Sequence, residues 1–443
     1  MGMTRHLRYA ALLILAILIL LAPALWNGFA LLQYDTGGYL ARWYEGHLEE
    51  SRSTVYALFL VLVARPGFWP AVAVQAALTV WVLRLALRAH GFGDVALLAI
   101  TAVLSLLTAL PWLASMLLTD IFAGLAVLAL YLVALRADAL ARWERWALIV
   151  FIAFAAATHT ATLAVLLALL LAGFVVARIN RALVPGKGLA RGALAAVLSI
   201  GMLLAANYAI AGRLAWTPGG SAIVFGRMLE AGIVARYLKE RCPEPGLAKL
   251  CQNRDKIPND ADLFFWGSDL FDELGRFEGL GDEMSLVVRN SLIAYPFMQL
   301  KAAIAGTAEQ LISVASGYGV HTDLWHTYWT IERFAPDVQP AMNSARQQQG
   351  AIDFSMINRL HVPVAWLSML VLAGIVALAL IRRQSADLGP LAAVALLAIL
   401  ANALICGALS NPHDRYGARI VWLAPLVVLL AAFRPRVALP KRA

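Results

Sequence analysis

Charge is scarce in this chain. Only 14% of its 443 residues are Asp, Glu, Lys or Arg, whereas 61% are hydrophobic and the mean hydropathy is +0.73. An ordinary soluble class is thereby excluded, because the apolar runs are long enough to cross a bilayer core of about 30 Å. Cysteine is scarcer still, with three in all, and no set of cysteines gathers at zinc-binding spacing. There is no Gly-rich phosphate loop, and the predicted inner loops of about fifteen residues are too short to house a nucleotide-binding domain. This chain alone therefore uses no ATP or nucleotide sugar on the inner face. It also shows no internal repeat and no low-complexity tract.

What is present is an all-α polytopic membrane pattern with about ten spans. They run roughly Tyr9–Leu31, Pro66–Leu87, Val95–Leu113, Thr119–Leu135, Trp146–Ala157, Thr160–Ala177, Leu194–Ala211, Val362–Ile381, Leu388–Leu409 and Ala418–Phe433. The fifth and sixth share a polar break, Thr158-His159-Thr160. Fused into one span they would reverse everything after them. Charge asymmetry favours ten: Arg5, Arg8, Arg84, Arg88, Arg136, Arg142, Arg145, Arg178, Arg181, Lys187, Arg191, Arg382, Arg383, Arg434, Arg436, Lys441 and Arg442 then fall on the cytoplasmic side. The short outer turns hold Arg42, Arg52, Arg65, Arg415 and Arg419. Both termini are then cytoplasmic and the membrane is the inner, plasma membrane. Tyr9–Ala24, with Ala22-Pro-Ala24, mimics a cleavable signal but is read as the first span. The net charge of +9 expresses this topology and not nucleic-acid binding, since the basic residues punctuate apolar helices instead of lining an aromatic-interleaved face.

Three regions follow: residues 1–211 with seven spans, an extracytoplasmic domain over 212–361, and residues 362–443 with three spans. The middle region alternates aromatic and charged stretches, such as Asp260-Ala-Asp-Leu-Phe-Phe-Trp266, and so reads as folded and mainly helical. Amphipathic stretches at Glu283–Ala294 and Phe297–Ser316 suit a membrane surface. Cys242 and Cys251 in an exported loop predict one disulfide, while Cys406 reads as a small apolar residue of the ninth span.

Asp35 stands just past the first span, where a carboxylate near lipid is costly unless it has a partner or a task. The plain alternative is a loop-helix cap. Three further clusters lie on the same predicted side: Arg52-Ser-Thr-Val-Tyr56 before the second span, Pro111-Trp-Leu-Ala-Ser115 with Thr119-Asp120 at the fourth, and Asn411-Pro-His-Asp-Arg-Tyr416 before the last. His321, Asp323 and His326 have loop spacing suited to a metal but lack a clear further ligand.

Taken in order, Tyr34-Asp35-Thr-Gly-Gly-Tyr39 and these three clusters resemble the GT-C superfamily of integral membrane glycosyltransferases. That superfamily uses polyprenyl-phosphate sugars and includes the protein O-mannosyltransferases and the aminoarabinose transferase of lipid A. The resemblance covers most of Met1–Arg213 and Ala386–Phe433. It implies a GT-C-like fold and inverting transfer to a cell-envelope acceptor, which is a lipid, a glycan or a protein. By this resemblance Asp35 is the base. Asp120 binds acceptor or metal, or else caps its helix. Arg415 holds the donor phosphate, helped by Arg52, Tyr416, His159 and Arg419, unless Arg415 merely pairs with Asp414 or another acid and His159 is only a hydrogen-bonded polar break. No second acid follows Asp35, so the paired-acid metal motif of some relatives is missing and a divalent cofactor is not indicated. Partners are the lipid-linked donor, its acceptor and membrane lipids. Two other classes compete: a polysaccharide ligase or polymerase, which transfers a chain, and a flippase of lipid-linked intermediates, which would favour internal symmetry and mid-membrane charge.

Overall fold

The computed structural model describes residues 2–48, 50–216, 219–382 and 388–433; Arg383, Arg434, Arg436, Lys441 and Arg442 lie outside the described residues. Among the described residues every regular element is helical, and extended pairing is confined to an isolated parallel bridge between Leu31 and Met116. Seven helices are long and apolar enough to cross a membrane: Leu7–Asn27, Trp69–Ala89, Thr160–Ile179, Gly186–Ala211, Phe354–Ile381, Gly389–Leu409 and Asp414–Ala432. This is an all-helical, membrane-embedded protein.

The other three of the ten expected spans fall short, and the reason is length. The first part of the chain forms α1 (Gly2–Asn27), α2 (Tyr34–Tyr44), α3 (Thr54–Leu62), α4 (Trp69–Ala89), α5 (Asp94–Leu107), α6 (Leu110–Ala114), α7 (Ile121–Leu135), α8 (Arg142–Thr158), α9 (Thr160–Ile179) and α10 (Gly186–Ala211). The third expected span breaks into α5 and α6 because Thr108 is extended and Pro111 opens the next helix. At 1.5 Å per residue, α5 and α7 reach only roughly 21–23 Å. A short helix is tolerated at the centre of a bundle: every residue of α7 from Ile121 to Val133 is buried, which suits a helix apolar on all sides. The polar break at His159 is a true turn. His159 is extended, with φ −156° and ψ 123°, and α8 and α9 pack against each other.

Residues 212–361 contribute to two different cores. Phe225, Tyr237, Phe264, Phe271, Met284 and Val287 belong to a separate cluster, closed on one flank by the Cys242–Cys251 disulfide with Cα atoms 5.6 Å apart. Val320, Leu324, Ile331, Val338 and Met342 instead join the core of the apolar helices. Between the two halves, the helix Pro296–Ile312 lies against the span Gly389–Leu409. They meet at Gly306 and Gly407, where a Cβ on either would sit 2.2 Å from the other's carbonyl oxygen. Small residues let backbones approach this closely.

Candidate functional site

The chain leaves α1 at Asn27 and is tied down before it reaches Asp35. The Asn27 side chain receives the Gln347 amide N–H at 2.8 Å, and the Gln347 side chain brackets Leu32, accepting from its N–H at 3.0 Å and donating to its carbonyl at 2.8 Å. Gln33 caps α2: its side chain accepts from the Asp35 N–H, and the Thr36 hydroxyl accepts from the Gln33 N–H. Thr327 then donates to the Gln33 carbonyl and accepts from the Gly37 N–H, both at 3.0 Å. Only glycine fits at 37, since a Cβ there would stand 2.6 Å from the Thr327 Cα. Residues distant in sequence thus hold the backbone of α2 and leave the Asp35 carboxylate free for side chains.

The other sequence clusters serve first as struts. Ser53 caps α3 and donates to the Ala157 carbonyl at 2.7 Å, fixing Arg52 beside the α8–α9 turn. Tyr56 donates to Gln75, whose amide donates to the carbonyls of Ala114 and Met116. Ser115 donates to Leu20, and Leu31 exchanges backbone bonds with Ser115 and Leu117. These ties bring the loops after α1 and α6 together at one end of the bundle.

There the charged residues form one continuous chain. Arg52 Nη2 lies 2.5 Å from Asp35 Oδ1, Arg415 Nη1 lies 2.6 Å from Asp35 Oδ2, and Arg415 Nε lies 2.6 Å from Asp120 Oδ2. Arg419 Nη1 closes the row 3.7 Å from Asp120 Oδ1. Asn402 holds Arg419 by accepting from Nε and Nη2, and it donates to the Tyr416 carbonyl. The Tyr416 ring lies beside both arginines, at 5.7 Å and 5.1 Å from their guanidinium carbons. His159 caps α9, its Nδ1 accepting from the Ala161 N–H at 3.2 Å, and interacts electrostatically with Asp35.

Exposure grades along the row and shows which end is open. The side chains of Asp120 and Arg419 are each 1% accessible, Arg415 9%, Asp35 15% and Arg52 21%. Burial alone would raise the Asp35 carboxyl, but Arg52 and Arg415 outweigh it and bring it down from 3.8 to about 2. Three guanidiniums against two carboxylates leave one net positive charge in the row.

One plain reading gives way here and another holds in its broader form. Asp120 occupies the cap position of α7 but makes no capping bond; both its oxygens face arginines instead. Arg415 does pair with acids, Asp35 and Asp120 rather than its neighbour Asp414, whose Oδ1 accepts the Ala315 N–H at 2.9 Å. No group of three His, Cys, Asp or Glu side chains converges as a metal site among the described residues. Cys406 is buried and accepts from Arg419 Nη2 at 3.3 Å, so it belongs to the wall of the row rather than to bare apolar packing.

A second wall, not visible in the sequence, stands beside the row. His413 lies between the rings of Tyr318 at 4.8 Å and Tyr416 at 5.7 Å, and its Nε2 is 3.9 Å from Asp262 of the separate lobe. Burial lowers His413, and the partial burial of Asp262 raises its carboxyl. Asp262 sits among ordinary surface acids in the sequence, and the signal that could have found it, proximity to Asn411–Tyr416, exists only after folding. Compared with known protein families, with curated proteins and with solved structures, the chain matches none.

Proposed function

We propose that this chain is a membrane glycosyltransferase that moves one sugar from a polyprenyl-phosphate donor to a cell-envelope acceptor on the outer face. The observation that carries the proposal is the row Arg52–Asp35–Arg415–Asp120–Arg419, buried at one end and accessible at the other. Guanidiniums bind phosphate bidentately and retain charge at every working pH, which makes Arg52 and Arg415 suited to a lipid phosphate. Both are paired with Asp35, and a carboxylate held near 2 is a weak base.

Donor binding resolves that conflict. As the phosphate takes over the two arginines, Asp35 loses the partners that depress its proton affinity and becomes competent to accept the acceptor's hydroxyl proton. The acceptor oxygen forms its bond to the anomeric carbon while the bond from that carbon to the phosphate oxygen breaks, and the electron pair leaves with the phosphate. Arginines stabilise that leaving anion, so no general acid is needed. One displacement inverts the anomeric carbon. Asp120 and Arg419 remain buried and orient Arg415, whereas Asp262, His413 and Tyr318 form a wall that an acceptor can reach.

Binding of polyprenyl phosphate without sugar, measured on the full chain in lipid nanodiscs, tests this. Removing a charge-assisted contact costs roughly 1.5–3 kcal/mol, so Arg415→Ala should weaken binding about 10- to 100-fold. Arg52→Ala, at the open end, repeats the test with less risk to folding. Unchanged binding in both would remove the arginines from the donor site and with them the proposed function.

A further inference from the structure

Away from this row, a cavity of about 350 Å³ opens between the N-terminal halves of α8 and α10, lined by Arg142, Arg145, Trp146 and Ile149 from one helix and Ala190, Arg191 and Leu194 from the other. We propose that it binds the headgroup of an anionic phospholipid. The spacing explains the convergence: Arg142, Arg145, Trp146 and Ile149 stand at i, i+3, i+4 and i+7 on one face of α8. The nearest acid cannot neutralise them, because Glu144 is turned to Arg88, at 2.5 Å, and to the Ala141 N–H. Arg142, Arg145 and Arg191 have no carboxylate partner among the described residues, and Arg191 is aimed by a single bond to the Val133 carbonyl at 3.1 Å.

Apolar surface continues from the cavity along both helices. Trp146 is 54% exposed, and above it Val150, Leu194 and Val197 are exposed along the same two helices. A soluble anion would have no use for that track, whereas an acyl chain fits it and a tryptophan favours headgroup depth. The volume suits a headgroup, and basic pockets between membrane helices hold such groups. This site is independent of the sugar-transfer reading and lies at the opposite helix ends from Asp35.

Lipid binding to the purified full chain in neutral detergent, followed by native mass spectrometry, tests the site. Phosphatidylglycerol and phosphatidylcholine of identical acyl chains are compared, with glycerol phosphate as the chain-free probe. Each arginine near a headgroup is worth a roughly fivefold change. Arg142→Gln, exposed and safe for folding, should therefore weaken phosphatidylglycerol about fivefold, and Arg142→Gln/Arg145→Gln/Arg191→Gln on the order of a hundredfold. Arg178→Gln/Arg181→Gln, at the same helix ends but outside the cavity, should leave the affinity unchanged. Equal affinity for phosphatidylcholine, an equal loss in the Arg178→Gln/Arg181→Gln protein, or saturable binding of glycerol phosphate in preference to the lipid would each overturn the proposal.

Discussion

Replacing Asp35 by asparagine separates base from clamp. The side chain keeps its shape but no longer accepts a proton, and the row changes from one net positive charge to two, with Arg52 and Arg415 released from their shared carboxylate. Loss of general-base catalysis is worth about 10²- to 10⁴-fold in rate. The structure adds a second consequence. Returning Asp35 from about 2 to its ordinary 3.8 represents about 2 kcal/mol at 1.36 kcal/mol per pKa unit, and in the wild type donor phosphate must displace that interaction. Asp35→Asn should therefore bind polyprenyl phosphate at least as tightly as the wild type, by up to about 30-fold, while turnover collapses. Sugar transfer in membranes is followed beside equilibrium binding of polyprenyl phosphate. Near-normal turnover would remove Asp35 as the base and shift the role to Asp120; loss of binding together with turnover would make Asp35 a structural residue of the row.

Four further outcomes follow from the same structure. Because the folded Asp35 carboxyl is depressed to about 2, its stabilisation is fully present above about pH 4 and lost as pH falls toward 2, so between those values the wild type should lose about 2 kcal/mol more than Asp35→Asn; superimposable acid-unfolding profiles in detergent would contradict this. Gly407→Ala forces the Pro296–Ile312 helix off its span and should cost about 1–3 kcal/mol, read as a lowered unfolding temperature. Asn259→Cys, in the exposed lobe, should react with an impermeant thiol reagent in intact cells if the lobe is outside; reaction only after lysis would invert the proposed topology. The disulfide closes a sequence separation of nine, so Cys242→Ser/Cys251→Ser should lose about 2–3 kcal/mol, and peptide mapping of native protein that found both thiols free would refute the bond.

Much of the architecture is legible in the sequence because membrane burial is a one-dimensional signal: long apolar runs must be helices when no water is present to satisfy the backbone. The all-helical class and the seven longest spans follow from that alone. α5, α7 and α8 are where the signal is least decisive, since hydropathy cannot distinguish a helix facing lipid from one enclosed by other helices, and α7 is buried from Ile121 to Val133. The residues of the candidate row are likewise visible individually, as charges at helix ends where charge is costly. Their pairing is not. Asp120 reads equally well as a helix cap, and Arg415 as the neighbour of Asp414, because local sequence carries no information about a partner 295 residues away.

Sequence by itself therefore determined the membrane class and which few polar residues stand at the helix ends, since both depend on the cost of polar groups in hydrocarbon. Tertiary structure decided that Arg52, Asp35, Arg415, Asp120 and Arg419 form one row, that Gln347 and Thr327 lock the loop carrying Asp35, and that Asp262 of the lobe faces His413. Those are contacts between helix ends brought together by packing, and packing is a property of the whole bundle rather than of any stretch within it.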